Sequence, residues 1–240
     1  DELLALAEQR FTTAIDAGTS AGLDDVVNAA YVGRARVRLY QGNGAGAVSD
    51  AEQVPADFVY EATASQDNSR RYNRVFHSNY LSPNYSVEEQ SRGLTTGGVE
   101  DPRTLATDDG RNANDGTTLW VQHKYTDYST PLPIVTGGEA QLIIAEAEGG
   151  QTAVDVINAL RDNHGLPHFG GGTEAEIMEE LIEERRRELW LQGHRMYDIH
   201  RFELTLTPTP GTAFPKGGEY GTTTCFPLPN VERFNNPNIT

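Results

Sequence analysis

Two separated stretches, LYQGNGAGAVSDA at 39–51 and AEAEGGQTAVDVI at 145–157, share one order of features: a helix end, a glycine turn, then an Ala-Val pair opening the next helix. Glycine at such a join permits backbone angles and close approaches that a Cβ forbids. Each stretch therefore predicts two helices folded tightly back on one another. This constrains the chain more than its composition does, because it requires helical hairpins on both sides of a long segment unlike either.

The hydrophobic periodicity extends the pattern. The opening DELLALAEQRFTTAIDAG sets Leu4, Ala7, Phe11, Ala14 and Ile15 on one helical face, with Asp1 and Glu2 in the first turn and Gly18 as the stop. A second helix begins at Asp24 and Asp25, carries Val27, Ala30, Tyr31 and Val37 as its apolar stripe, and ends near residues 39–44. A third runs from about Ala45 to Gln53 and is closed by Pro55. GEAQLIIAEAEGGQTAVDVINALRDN at 138–163 supplies another pair around Gly149 and Gly150. The joins resemble those of tetratricopeptide-type repeats, in which small residues let adjacent helices approach. The fold class expected is mainly α: tetratricopeptide-like hairpins with a long irregular insertion and an extended C-terminal tail.

The insertion spans 55–138 and is rich in Asn, Asp, Gly, Ser and Thr, with strand-like runs DFVYEATAS and TLWVQHKYTDY. It holds nine of the chain's 20 aromatic residues (8 Phe, 10 Tyr and 2 Trp), among them Trp120, so it reads as an ordered insertion and not a linker. Residues 203–240 are too rich in Pro and Gly for helix and read as an extended tail. At 240 residues the whole is read as one domain, with hairpins over 1–54, the insertion over 55–138, a hairpin and charged helix over 139–202, and the tail over 203–240.

Charge then narrows the function. Thirty-five acidic against 19 basic residues give a net charge of −16, which repels nucleic-acid phosphates. The single cysteine, Cys225, provides neither a disulfide framework nor a cysteine-rich metal site.

The densest cluster of charge is EERRRELWLQGHRMYDIHRF at 183–202. On a helical wheel Met178, Leu181, Ile182, Leu189 and Trp190 form an apolar stripe with Arg185 inside it, so Arg185 requires a partner, for which Glu188 at i+3 or Asp198 after the Gly193 break is in reach. Glu183 and Arg187 stand in the favourable i,i+4 order. His194 and His200 lack the spacing of helical metal ligands, and no nucleophile with a base, nor any carboxylate pair, is announced. The reading is a structural ion-pair network, with no catalytic residue, no metal ligand and no cofactor.

The same residues resemble the C-terminal signature of the SusD/RagB family of nutrient-binding lipoproteins. Glu184, Arg185, Arg186, Glu188, Leu189, Gly193, Arg195, Asp198 and Arg201 fall where that family has E-R-R-x-E-L, G-x-R and D-x-x-R. RARVRLYQGNGAGAVSDAEQVP, the DPR at 101–103, LIIAEAE, INALRDNHGLP and the closing FPLPNVERFNNPNI agree in order, so the resemblance covers about residues 24–240. Gln192 stands where the family usually has a glutamate, and the lipid-bearing N-terminal cysteine is absent from the chain. Full-length members are longer, with an N-terminal part that helps to bind ligand. The resemblance implies a binding protein, not an enzyme, lipid-anchored through residues outside this chain on the extracellular face of the outer membrane. It would pass an oligosaccharide or peptide to a SusC-like TonB-dependent transporter. The alternative is a structural or assembly subunit that reuses the scaffold, with self-association or another surface protein as its partner. In the family-like network Glu184, Arg185, Glu188, Arg195, Asp198 and Arg201 are structural.

Ligand residues do not transfer by motif and must be sought by chemistry. A sugar calls for flat aromatic faces beside amides and charges, and RRYNRVFHSNYLSPNYS at 70–86 supplies Tyr72, Arg74, Asn79, Tyr80, Asn84 and Tyr85, with Asn73 between them. The competing reading is that these side chains pack the insertion onto the scaffold. TDDGRNANDGTT at 107–118 is crowded with oxygen ligands but misses the EF-hand register, and Pro167 denies His164 and His168 a common helical face.

Overall fold

The computed structural model describes residues 2–215, 217–224 and 228–235. Cys225 and the ends of the FPLPNVERFNNPNI segment lie outside the described residues. Two compact units are present, one up to His194 and one from Arg195 onward.

The first unit opens with α1 (Glu2–Ala21), α2 (Asp24–Tyr40) and α3 (Gly44–Ala51). Ile15 of α1 is buried, and Leu4, Ala7, Phe11 and Ala14 are half-buried, as the periodicity requires. Gly18, expected as the stop, instead lies buried within α1, where a Cβ would stand 2.8 Å from Cγ2 of Val27. It is a crossing point for α2, and the helix ends at Gly22, whose φ of +67° is left-handed. Around α2 the apolar surface is broader than the stripe expected: Val32, Gly33 and Ala35 are buried with Ala30 and Val37, since α1 covers one side and other helices cover the rest. Asn43 caps α3, its carboxamide oxygen accepting from the Gly46 amide at 3.0 Å.

The second hairpin is α5 (Gly137–Glu148) and α6 (Gly150–Asp162), followed by α7 (Glu174–Glu188). α5 is apolar on two sides, which is why its sequence shows little amphipathicity. Ala140 and Ile143 pack with Val32, Ala35, Ala47 and Ala51, whereas Leu142 and Ala145 pack with Ala153, Ile157, Leu160 and Leu181. α7 begins at a capping box in which Thr173 and Glu176 bind each other's backbone amides.

The insertion is clamped at its base. β1 (Val59–Ala62) pairs antiparallel with β6 (Leu132–Thr136), Val59 opposite Thr136 and Tyr60 opposite Val135, so its two ends meet beside α5. Within it lie α4 (Arg74–Phe76), running on as a π-turn over His77–Leu81, and two further antiparallel ribbons. These are β2 (Thr95–Thr96) with β3 (Val99–Glu100), and β4 (Ala106–Asn112) with β5 (Thr118–Gln122). The TDDGRNANDGTT loop is the β4–β5 hairpin: Asp108 accepts from the Gly110 amide at 2.8 Å and Asp115 from Thr117 at 3.0 Å, both as turn caps.

The second unit contains α8 (Arg195–Arg201), an extended run with an Ala213–Glu219 bridge, and α9 (Asn230–Asn235). Within the extended tail a short helical turn covers 230–235; Pro229 precedes it, and proline at a helix start forfeits no intrahelical hydrogen bond.

Candidate functional site

The charged stretch builds a buried junction between helices and insertion. Glu184 of α7 is fully buried and pairs through one carboxylate oxygen with Arg103, in the Pro102–Thr104 turn, and through the other with Nε of Arg161 on α6 at 3.1 Å. Arg103 also makes a two-pronged contact with Asp101, at 3.0 and 2.8 Å, and reaches Glu188 at 3.1 Å. Glu188 in turn lies 3.4 Å from the His164 imidazole. Burial alone would lift the Asp101 and Glu188 carboxyls. Hydrogen bonds and charge from Arg103, joined at Glu188 by His164, outweigh it and hold both below their ordinary values.

Glu188 is drawn to Arg103 and His164 and not to Arg185, towards which Glu146 of α5 brings a carboxylate oxygen within 3.7 Å. Glu183 and Arg187 do face each other, at 3.5 Å. Gln192 uses its amide as a cap, donating to the Glu188 carbonyl at 3.3 Å. In the second unit Asp198 pairs with Arg201 at 3.1 Å, with Arg195 at the first turn of the same helix. Asp101 and Arg103 of the DPR run and Arg161 of INALRDNHGLP enter the sequence reading only through the family resemblance, and no local spacing assigns them to this junction. The same holds for Arg34, Arg36 and Arg38 of the RARVRLYQGNG run, which reach Asp50, Glu139 and Glu8 at 2.7, 2.6 and 2.8 Å and tie α2 to its three helical neighbours.

One lysine enters this junction. Lys124 donates to the Trp190 carbonyl at 2.8 Å, and burial brings its pKa down from 10.5 to about 8 against the pull of Glu188. Between those values the unfolded chain holds a proton that the folded chain has lost, so stability from this residue rises with pH. Tyr125, whose phenol is pushed above 10.0 by burial, works in the opposite sense above pH 10. Urea unfolding is expected to show a gain of about 2–3 kcal/mol from pH 8 to 10. Lys124→Met should flatten it.

The six candidate ligand residues separate into two groups. A cavity of about 340 Å³ is lined by Arg74, Asn79 and Tyr85, together with Val75, Val87 and Leu191; Tyr72, Tyr80 and Asn84 lie outside its lining. Tyr85 is 68% exposed, a free aromatic face at the mouth. Asn79 is buried: its amide nitrogen donates to the carbonyls of Tyr85 at 2.9 Å and Trp120 at 3.0 Å, and its oxygen accepts from the Gln122 amide at 2.9 Å. It shapes the cavity by locking three strands of chain together. Asn73 does the same elsewhere, donating to the Thr130 carbonyl at 2.9 Å. Tyr72 packs on Tyr128 with centroids 4.1 Å apart. Tyr80 stacks on Phe76 at 5.5 Å with the Arg111 guanidinium 5.0 Å from its ring centre, and Asn84 accepts from Asn114 at 2.9 Å. The half-buried Trp120 carries the Arg92 guanidinium at 5.0 Å.

A helical scaffold, a clamped irregular insertion and this buried arginine–carboxylate junction now stand together, and the sequence model of the SusD family matches residues 22–227. The chain belongs to the SusD family. Among solved structures, a SusD-like carbohydrate-binding protein from Bacteroides vulgatus aligns with a TM-score of 0.64 at 18% identity, covering 89% of this chain and 59% of that one. A SusD superfamily protein from Parabacteroides distasonis aligns with a TM-score of 0.58 at 16% identity, covering 89% and 62%. A SusD-like carbohydrate-binding protein from Bacteroides fragilis gives 0.58 at 14%, covering 84% and 58%. At such identities the likeness is one of fold, and the chain spans about three fifths of the length of these SusD-like structures. No curated protein matches the sequence.

Proposed function

We propose that this SusD-family chain is a surface nutrient-binding protein that takes a glycan or peptide and passes it to a TonB-dependent outer-membrane transporter. The observation that carries the reading is the cavity in the insertion, where the exposed Tyr85 ring and Arg74 stand over a rigid floor fixed by Asn79. Two SusD-like relatives described as carbohydrate-binding support it. Tyr85 and Arg74 are the ligand-facing groups in this proposal, Asn79 fixes the floor beneath them, and Tyr72, Tyr80 and Asn84 pack the surrounding segment. Binding without chemistry suits the site, and anchoring runs through lipid on residues outside this chain. Among the described residues no helix is long and apolar enough to cross a membrane.

Calorimetric titration against a panel of oligosaccharides and peptides tests this. Tyr85→Ala should weaken the best ligand about three- to tenfold at unchanged melting temperature, the range expected for one aromatic face. Asn79→Ala should instead lower the melting temperature, because it leaves buried carbonyls and an amide unpaired. A panel without a single binder overturns the proposal, as does a Tyr85→Ala variant that binds as the parent does.

A further inference from the structure

The polar groups lining the 340 Å³ cavity are largely committed to the protein itself. Asn79 makes the three backbone hydrogen bonds described above. Gln122 binds the backbone of Tyr125 at both ends of its amide, each at 2.7 Å. The Ser86 hydroxyl donates to the Thr118 carbonyl at 3.0 Å and accepts from the Trp120 amide at 2.9 Å. A sugar ring placed deep in this space would surrender water from several hydroxyls and find the Ser78 hydroxyl as almost its sole uncommitted partner there.

Of the remaining lining, Val75, Val87, Leu191 and the Tyr85 ring are apolar, Ser78 adds a single hydroxyl, and Arg74 is the one charged group, at the rim. Arg74 is exposed and donates from Nη2 to the Ser69 carbonyl at 2.7 Å. A guanidinium carries five N–H donors, so it retains capacity for an anion. Leu191 is held as a wall: its backbone has a φ of +58°, with its own carbonyl accepting from the Tyr125 hydroxyl at 3.3 Å and the Trp190 carbonyl from Lys124. A non-glycine residue persists in that conformation only when its surroundings impose it. The apolar wall is thus built in.

We infer that this cavity takes an aromatic group bearing a carboxylate, as an aryl acid or an aryl-acid substituent of a larger ligand, with the ring between Val75, Val87 and Leu191 and the carboxylate on Arg74. It rests on the reading that this face binds ligand, and it assigns the cavity to the non-sugar part. The volume lies in the range of small-molecule sites.

The probes are 2-naphthoate and its neutral counterpart 2-naphthol, titrated by fluorescence into the chain. The naphthoate should bind more tightly; Arg74→Gln should weaken it about tenfold and leave naphthol unchanged. Val75→Trp, which fills the cavity, should abolish both at unchanged melting temperature, and Ser78→Phe gives a second filling variant should the first fail to fold. Absence of naphthoate binding, or binding indifferent to Arg74 and to filling, overturns the inference. Displacement of naphthoate by an oligosaccharide without aryl groups also overturns it, while leaving the nutrient-binding reading intact. The expected naphthoate pattern in a protein that binds no oligosaccharide or peptide supports the cavity's chemistry and overturns that broader reading.

Discussion

Replacing Glu184 with glutamine is expected to destabilise the folded chain by about 3–5 kcal/mol, the cost of removing one partner from a buried ion pair. Glu184 is fully buried and faces two guanidiniums, Arg103 on one oxygen and Arg161 on the other. Glutamine keeps the shape, but it presents an NH2 to one arginine, donor against donor, and removes the negative charge both require. Arg161 retains Glu180 and the Pro167 carbonyl, and Arg103 retains Asp101 and Glu188, so neither charge is abandoned; what is lost is the carboxylate that bridges the two guanidiniums in a site closed to water. For a domain of this size the melting temperature should fall by roughly 6–20 °C. Glu179→Gln, on the exposed side of the same helix, should stay within about 0.5 kcal/mol of the parent. Calorimetric melting of both decides the matter. A loss below about 1 kcal/mol for Glu184→Gln would mean that the junction is held by packing and not by charge.

The reach of sequence reasoning follows the distance over which each feature is determined. The α5–α6 hairpin is legible because Gly149 and Gly150 sit between two apolar-periodic runs, all within 26 residues of chain. Gly18 is misread for an instructive reason: a stop and a close crossing both favour glycine, and only the position of Val27 on the neighbouring helix separates them. The Arg103–Glu184 pair joins residues 81 apart, and nothing in DPR or EERRRE reports the other's location. The family resemblance names the residues of the signature helix, but the approach of Glu146 on α5 to Arg185 follows from helix packing and not from spacing on one helix. In the aromatic segment, composition could not separate Asn79 from Tyr85. Both lie in one Asn- and Tyr-rich run, yet one is locked by three hydrogen bonds and the other presents an open ring. The cavity itself needs Gln122 and Leu191 beside residues 74–87, a set no local pattern contains.

Gly137→Ala is expected to destabilise by about 1–3 kcal/mol or more, against the rule for helix starts. Gly137 opens α5, and in most helices an alanine there would help, since glycine loses more backbone entropy on folding. Here a Cβ would stand less than 3.0 Å from the carbonyl oxygens of both Pro55 and Ala56. These are backbone atoms of the turn leading from α3 into the insertion, so no side chain can rotate out of the way. Relief requires moving that turn, and the move also strains the hydrogen bond from the Gly137 amide to the Phe58 carbonyl, 2.7 Å long, at the base of the β1–β6 clamp. Gly44→Ala provides the opposite expectation at the corresponding start of α3. A Cβ there meets Ala147 at an ordinary 3.6 Å, and the change should be neutral or stabilise by up to about 1 kcal/mol. Urea midpoints at constant slope, measured on both variants, separate sterics from entropy. If both alanines stabilise, the turn at 55–56 yields freely and the clamp does not depend on the glycine; if Gly137→Ala alone fails, the close approach of that turn to α5 is what fixes the insertion to the helical scaffold.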